Sequence, residues 1–251
     1  MESAERKIAD ILSKLDSYFR VNDYDSAEDY LLSQLETAVG EADVFSQIPI
    51  LNELMGLYRK TGKREQALAA AESALELTLG TLREEQVGAA TTYLNTATVY
   101  KAFGMAADAI PLFEKAKKIY ESSLVRNDGR LGGLYNNMAL ALVDLGRFAE
   151  AKELYLSALE VVKHTATGPL EAAITYLNMA TAAETERGLV DAEEEISGYL
   201  NTAKELLDNY TVRDGYYAFV CEKCASVFTY YGLFLYGEEL CGRARRIYEG
   251  A

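Results

Sequence analysis

The sequence predicts an all-α, right-handed superhelical solenoid of six helical hairpins, and three observations carry that prediction. The first is residues 131–163, LGGLYNNMALALVDLGRFAEAKELYLSALEVVK. Here Tyr135, Met138, Ala139 and Leu142 recur at helical spacing, Gly146 interrupts, and Phe148, Ala151, Tyr155, Ala158 and Leu159 begin a second apolar stripe. Two amphipathic helices therefore meet at a glycine, which can close a helix in the left-handed conformation without a Cβ clash. The second observation is that this pattern returns at a fixed distance. Gly62, Gly104, Gly146 and Gly188 are each 42 residues apart, with alanine five residues later at Ala67, Ala109 and Ala151, and four later at Ala192. The third is compositional: 49% of residues are hydrophobic, 25% are charged and only three are proline, which describes a folded chain without disordered linkers.

In chain order, the repeats are expected at about residues 3–43, 44–83, 84–128, 129–168, 169–213 and 214–251, forming one continuous domain over 1–251. The first pairs a helix over 3–20 with one over 24–39, and Asn22 replaces glycine because asparagine tolerates the left-handed region. The second runs from 44 to 80. The third carries Pro111 inside its second helix; if that helix begins near Met105, the proline lies just beyond the first turn, where few hydrogen bonds are lost. The fourth and fifth join through KHTATGPLEAA, in which Gly168 and Pro169 stop one helix and start the next, with His164 in the loop. The fifth has one extra residue before Gly188 and one fewer after it. The sixth starts near Asp214 and is crowded with aromatic residues, Tyr216, Tyr217, Phe219, Phe228, Tyr230, Tyr231, Phe234 and Tyr236, with Gly237, Cys241 and Ala244 in the template's small and aromatic places.

Fixed-period helix pairs with this small and aromatic pattern resemble the tetratricopeptide repeat family, and LYNNMALALVDLGRFAEAKELYLSALEV carries the likeness most fully. The long period, with ADAIPLFEKAKKIYESSL and TYLNMAT, is similar to the subtype found in kinesin light chains and bacterial peptide-sensing regulators. Leu15 and Gln34 in the first repeat, and cysteines and Gly237 in the last, depart from the pattern. The resemblance implies a non-catalytic module that presents a concave groove, lined by first helices, to an extended peptide or partner segment, as adaptor, scaffold or sensor.

Charge narrows the partners. A net charge of −14 and a pI near 4.6 oppose nucleic acid and anionic membrane surfaces, both of which need a basic patch. From Val21 to Tyr58 there is no Lys, Arg or His, whereas Asp23, Asp25, Glu28, Asp29, Glu36, Glu41, Asp43 and Glu53 all fall there. This is either a solvated outer face or a docking surface for a basic partner. The N-terminal MESAERKIADILSKL has no apolar core of a signal peptide, and no stretch is long enough to span a membrane. Three cysteines without a secretion signal point to reduced thiols in the cytoplasm.

Catalytic chemistry is poorly supplied. There is one histidine, His164, no phosphate-cradling or metalloprotease motif, and no cofactor signature. Cys221 and Cys224 have metal-like spacing but lack two further ligands nearby, so no metal is expected; Cys224 and Cys241 fall at template core places and are expected as buried thiols.

Asn95 and Asn137 each lie nine residues before their glycine, and Asn178 holds the same place relative to Tyr176 and Ala180. Asparagine costs about half a kcal/mol against alanine in a helix, so a ladder of them needs a reason. The family resemblance implies that they, with Asn136, clasp the backbone of a bound peptide in a groove running from about Asn52 to Asn178, since an amide offers a donor and an acceptor together. The competing reading is that each asparagine bonds a neighbouring helix or water. Arg59 and Lys101, three residues before their glycines, are candidates to hold a ligand carboxylate or simply to complement a helix C-terminus. The rival to a peptide groove is a structural or assembly role, with a homodimer formed through Tyr217, Tyr230, Tyr231 and Tyr236 and the basic run Arg243, Arg245 and Arg246. A third role is regulation of a separate catalytic or DNA-binding polypeptide.

Overall fold

The computed structural model describes residues 2–81 and 86–250, with side chains from residue 6 onward. Among the described residues there are twelve α-helices in six antiparallel pairs: α1 (Glu2–Phe19) with α2 (Tyr24–Gly40), α3 (Val44–Thr61) with α4 (Arg64–Leu79), α5 (Val87–Ala102) with α6 (Ala106–Ser123), α7 (Gly129–Asp144) with α8 (Phe148–Val162), α9 (Gly168–Arg187) with α10 (Glu193–Asn209), and α11 (Gly215–Tyr230) with α12 (Phe234–Tyr248). The all-helical hairpin fold expected from the glycine period is therefore present.

The period works through backbone geometry. The turn inside each hairpin contains a residue with positive φ: Asn22 (55°), Gly62 (72°), Gly104 (80°), Gly146 (70°), Gly188 (81°) and Gly232 (84°). In five hairpins the residue after it donates its N–H to a carbonyl five residues back, as Lys63 does to Tyr58 O at 2.9 Å and Arg147 to Leu142 O at 2.8 Å, which satisfies an orphaned end of the first helix. Gly188 differs. Its ψ of 161° lies in a region only glycine enters readily, which is how the extra residue before it is absorbed. Helix starts are set by aspartate: Asp23, Asp43, Asp128 and Asp214 each accept a hydrogen bond from a backbone N–H in the first turn of α2, α3, α7 and α11. Pro111 lies inside α6 and Pro49 inside α3, each at the sixth helical position, and both helices continue through them.

The chain divides into two compact units, Met1–Ser123 and Leu124–Ala251. In the first, Leu15, Leu31, Ile50, Leu54, Met55 and Leu57 are buried around Ala67, Ala71 and Ala74, whose small side chains let α4 approach α3. Phe113 and Tyr120 fill the space beside Ala109 and Ala116 on α6. In the second unit Ala151, Tyr155 and Ala158 repeat that arrangement on α8, and Leu170, Leu177, Ile196, Leu200, Leu207 and Phe228 continue the core. Gly237 stands where other repeats carry alanine because α12 comes still closer to α11: a Cβ there would lie 2.2 Å from Thr229 Oγ1 and 3.0 Å from Ala225 O.

One expected core thiol is misplaced. Cys241 is exposed, while Cys221 and Cys224 are buried. Cys241 holds the place of Tyr155, which is covered where α8 meets α9; α12 has no following helix packed on it among the described residues.

Candidate functional site

In the first unit α3 packs on α5, and in the second α7 packs on α9, so first helices lie side by side and bring their asparagines together. Asn52 on α3 donates to Ile48 O of its own helix (3.0 Å) and to Thr92 Oγ1 on α5 (3.2 Å), and its Oδ1 accepts from Asn95 Nδ2 (3.0 Å). The second unit repeats this set. Asn136 on α7 donates to Gly132 O (3.3 Å) and to Thr175 Oγ1 on α9 (2.8 Å), and its Oδ1 accepts from Asn178 Nδ2 (3.4 Å).

The glycine count for Asn95 and Asn137, and the places of Tyr176 and Ala180 for Asn178, align the three as equivalents; the structure pairs them differently. Asn95 and Asn178 are equivalent, Asn136 is the partner of Asn178, and Asn137 bonds its own helix through Gly133 O at 2.8 Å. Each cross-helix bond belongs to the reading in which asparagine bonds a neighbouring helix, and it uses only part of the amide. The Oδ1 atoms of Asn95 and Asn178 have no hydrogen-bond partner among the described residues. Thr92 and Thr175, both fully buried, were not anticipated; the signal that marks them is the tetrapeptide TYLN, present at 92–95 and again at 175–178.

Beside the Asn52–Asn95 pair lies an open pocket of about 360 Å³. Leu12, Val44, Phe45, Ile48, Pro49 and Ala89 form its apolar wall, Asn52, Asn95 and Thr91 contribute polar atoms, and Glu53 supplies its one carboxylate among the described residues. Glu53 is half-buried and has no ion-pair or hydrogen-bond partner among them. Burial raises its carboxyl pKa, and the negative charge of Asp16 adds to the rise. Arg59 lies two turns beyond Asn52 on the same face of α3, about 10 Å along it. Its guanidinium is reached by solvent yet crowded by protein, and that desolvation lowers its pKa. Lys101 is half-exposed and lies about a third of a turn away from the Asn95 face.

The four tyrosines at the far end of the chain separate into two kinds. Tyr217 and Tyr236 are buried within the second unit, so the expectation that they form an interface is corrected. Tyr217 OH donates to Leu207 O (3.3 Å) and accepts from Arg243 Nη1 (3.0 Å); Tyr236 OH donates to Asp208 Oδ1 (2.9 Å). Arg243 is likewise an internal residue, bonded to Asp208 Oδ1 at 2.7 Å with its side chain 16% exposed. Tyr230 and the half-buried Tyr231 form an edge-to-face pair with centroids 5.0 Å apart, and both donate to the Glu184 carboxylate at 2.7 Å. Tyr230 is 70% exposed, and Phe234 (62%) and Leu235 (83%) extend an open apolar surface along the same turn.

The thiols of Cys221 and Cys224 are raised in pKa by burial, Cys224 to about 12. Among the described residues no three His, Cys, Asp or Glu side chains are gathered as a metal site would require, and no helix is long and apolar enough to cross a membrane.

Tetratricopeptide repeat profiles match residues 46–122 and 132–165, which contain both asparagine pairs except for Asn178. The chain is a tetratricopeptide repeat protein. Solved structures with the same fold include a putative kinesin light chain with nearly identical repeats from Podosopora anserina (18% identity, 78% of this chain and 92% of that one, TM-score 0.51). BtubC (BKLC) from P. vanneervenii is similar at 19% identity over 98% and 91% of the two chains, with a TM-score of 0.53. A Rap protein complexed with Competence and Sporulation Factor is similar at 15% identity over 97% and 78%, with a TM-score of 0.57. A search of curated protein sequences finds no match. Tetratricopeptide repeat modules generally serve as scaffolds for protein–protein interaction and are typically non-catalytic.

Proposed function

We propose that this tetratricopeptide repeat protein binds an extended segment of a partner protein along its first helices, with asparagine side chains holding the segment's backbone. The observation that carries this reading is the Asn95 carbonyl oxygen, held in place by Asn52 at the edge of an open apolar pocket and left without a protein partner among the described residues. Asn178 repeats the arrangement in the second unit, and Asn137 adds a further amide there. Each backbone hydrogen bond contributes roughly 1 kcal/mol, whereas ordering six peptide residues costs about 6 kcal/mol or more, so side-chain anchors are required. The pocket in the first unit supplies one, and Arg59 and Lys101 offer charge for a carboxylate. The Rap protein of similar fold also holds a bound factor.

Random peptides displayed on phage are to be selected against the full chain and the selected sequences measured by calorimetry. Asn95→Ala, Asn137→Ala and Asn178→Ala are each expected to weaken binding about fivefold, the equivalent of about 1 kcal/mol. Unchanged affinity in all three overturns the reading. A second reading, self-association, is favoured by the exposed Tyr230, Phe234 and Leu235. Light scattering on a sizing column tests it: a monomer of 27.7 kDa at tens of micromolar, unaltered by Leu235→Glu, rules it out.

A further inference from the structure

The first-unit pocket joins an apolar wall to neutral polar side chains, Asn52, Thr78, Thr81, Gln86, Thr91 and Asn95, and to a single carboxylate among the described residues. Leu12, Phe45, Ile48, Pro49 and Ala89 would accept an aliphatic or aromatic side chain, and a volume of about 360 Å³ is within the range of small-ligand clefts. Glu53 breaks the pattern. A half-buried carboxylate in an apolar wall loses hydration, and this one gains no compensating hydrogen bond or cation among the described residues. Asp16 adds a second negative charge to its surroundings, and burial together with that charge makes the ionised form costly, which the raised carboxyl pKa expresses. No lysine or arginine lines the pocket among the described residues, and none occurs anywhere between Val21 and Tyr58. Among the described residues nothing supplies the cation that would balance this carboxylate, and a bound ligand could bring one.

We infer that the pocket is a specificity site for a peptide carrying an aliphatic or aromatic residue and a lysine or arginine two positions from it, the first filling the apolar wall and the second pairing with Glu53. The spacing follows from extended backbone, in which side chains two residues apart point the same way and lie about 7 Å from one another. The Asn52–Asn95 amides border the same pocket and are placed to meet the backbone between the two anchors. This inference rests on the peptide-binding reading above and adds the chemistry of the ligand.

The test uses the full chain and a displayed library of random eight-residue peptides, selected in parallel on the wild type and on Glu53→Gln, which keeps the side chain's shape. The wild type is expected to enrich Lys or Arg two positions from Leu, Ile, Val, Met or Phe, and Glu53→Gln to lose the basic preference while keeping the apolar one. A synthetic copy of a selected peptide is expected to bind Glu53→Gln about fivefold more weakly, and to lose the same factor on the wild type when its lysine is replaced by norleucine. Enrichment of peptides without a basic bias, or equal binding to both proteins, overturns this inference and leaves the peptide groove standing. Enrichment of nothing overturns the groove itself and this inference with it.

Discussion

Replacing Arg243 with alanine is expected to loosen the end of the second unit, because this one side chain joins three helices. Its Nη2 lies 2.7 Å from Asp208 Oδ1 on α10, its Nη1 lies 3.0 Å from Tyr217 OH on α11, its Nε bonds Glu239 Oε1 at 3.1 Å on its own helix, and its guanidinium carbon sits 5.6 Å from the Tyr236 ring centroid. Neither cross-helix partner is stranded when the arginine goes: Asp208 keeps the Tyr236 hydroxyl at 2.9 Å, and Tyr217 keeps the Leu207 carbonyl at 3.3 Å. The cost is therefore close to the net worth of the bonds, without the larger penalty of an orphaned buried charge. A charge-assisted bond contributes about 1.5–3 kcal/mol, but the Asp208 side chain is 36% exposed and solvent screens the pair, which takes the value toward the lower end. With the second cross-helix bond and the lost contact on Tyr236, the total comes to about 2–3 kcal/mol. Urea unfolding followed by circular dichroism and by the fluorescence of the 18 tyrosines measures it, and the thermal midpoint is expected to fall by about 5–12 °C. Arg243→Lys keeps the charge but lacks the planar fork, and is expected to recover about half the loss. A change in stability below about 0.5 kcal/mol in Arg243→Ala would refute the cross-helix role.

Three further outcomes are expected. Tyr155 OH is buried with no partner among the described residues, and Phe113 fills the equivalent place in the preceding repeat; Tyr155→Phe is expected to be neutral or to stabilise by about 1 kcal/mol in urea melts, and a loss of more than about 1 kcal/mol would show that the hydroxyl is bonded. Of the three thiols, Cys241 alone is expected to react promptly with an aromatic disulfide reagent at pH 8, since Cys221 and Cys224 are buried and burial raises their thiol pKa; all three should react in denaturant, and prompt reaction of two or three in the native protein is the contrary result. Asp43 accepts from Ser46 Oγ at 2.6 Å and from Ser46 N at 3.2 Å, which lowers its carboxyl pKa below 3.8. Its cap therefore stabilises the fold fully above about pH 4 and is lost as pH falls through the lowered value, so Asp43→Ala should cost about 1 kcal/mol at pH 7 and progressively less in acid; an equal gap near pH 2 contradicts this.

Much of the fold was legible because its punctuation is chemical. A glycine every 42 residues marks a position whose φ is positive, and an aspartate two or three residues ahead of a first-turn donor marks a helix start. The asparagines were legible as a set but not as pairs. Which amide meets which depends on the axial offset between neighbouring helices, and the Tyr-x-Asn spacing that aligns Asn178 with Asn137 does not report it, so Asn136 rather than Asn137 meets Asn178. The tyrosines show the same limit. Tyr230 and Tyr231 are adjacent, yet about 100° of rotation leaves one open and the other half-buried, while composition sees two aromatic residues. Arg243 reads as a surface cation because Tyr217 and Asp208 lie 26 and 35 residues away in sequence.

The buried threonines set the size of the interchangeable part. Asn52, Thr92 and Asn95 span two hairpins, as do Asn136, Thr175 and Asn178, so the smallest segment that carries its own polar lock is a pair of hairpins. Moving a single hairpin to a new neighbour would keep the bonds within each helix, such as Thr175 Oγ1 to Glu171 O at 2.9 Å, and lose those across the seam from Asn136 to Thr175 and from Asn178 to Asn136. Moving α3–α6 or α7–α10 as a block keeps both halves of the lock together. A segment exchanged as two repeats carries the lock intact, with the TYLN tetrapeptide and its asparagine partner travelling together.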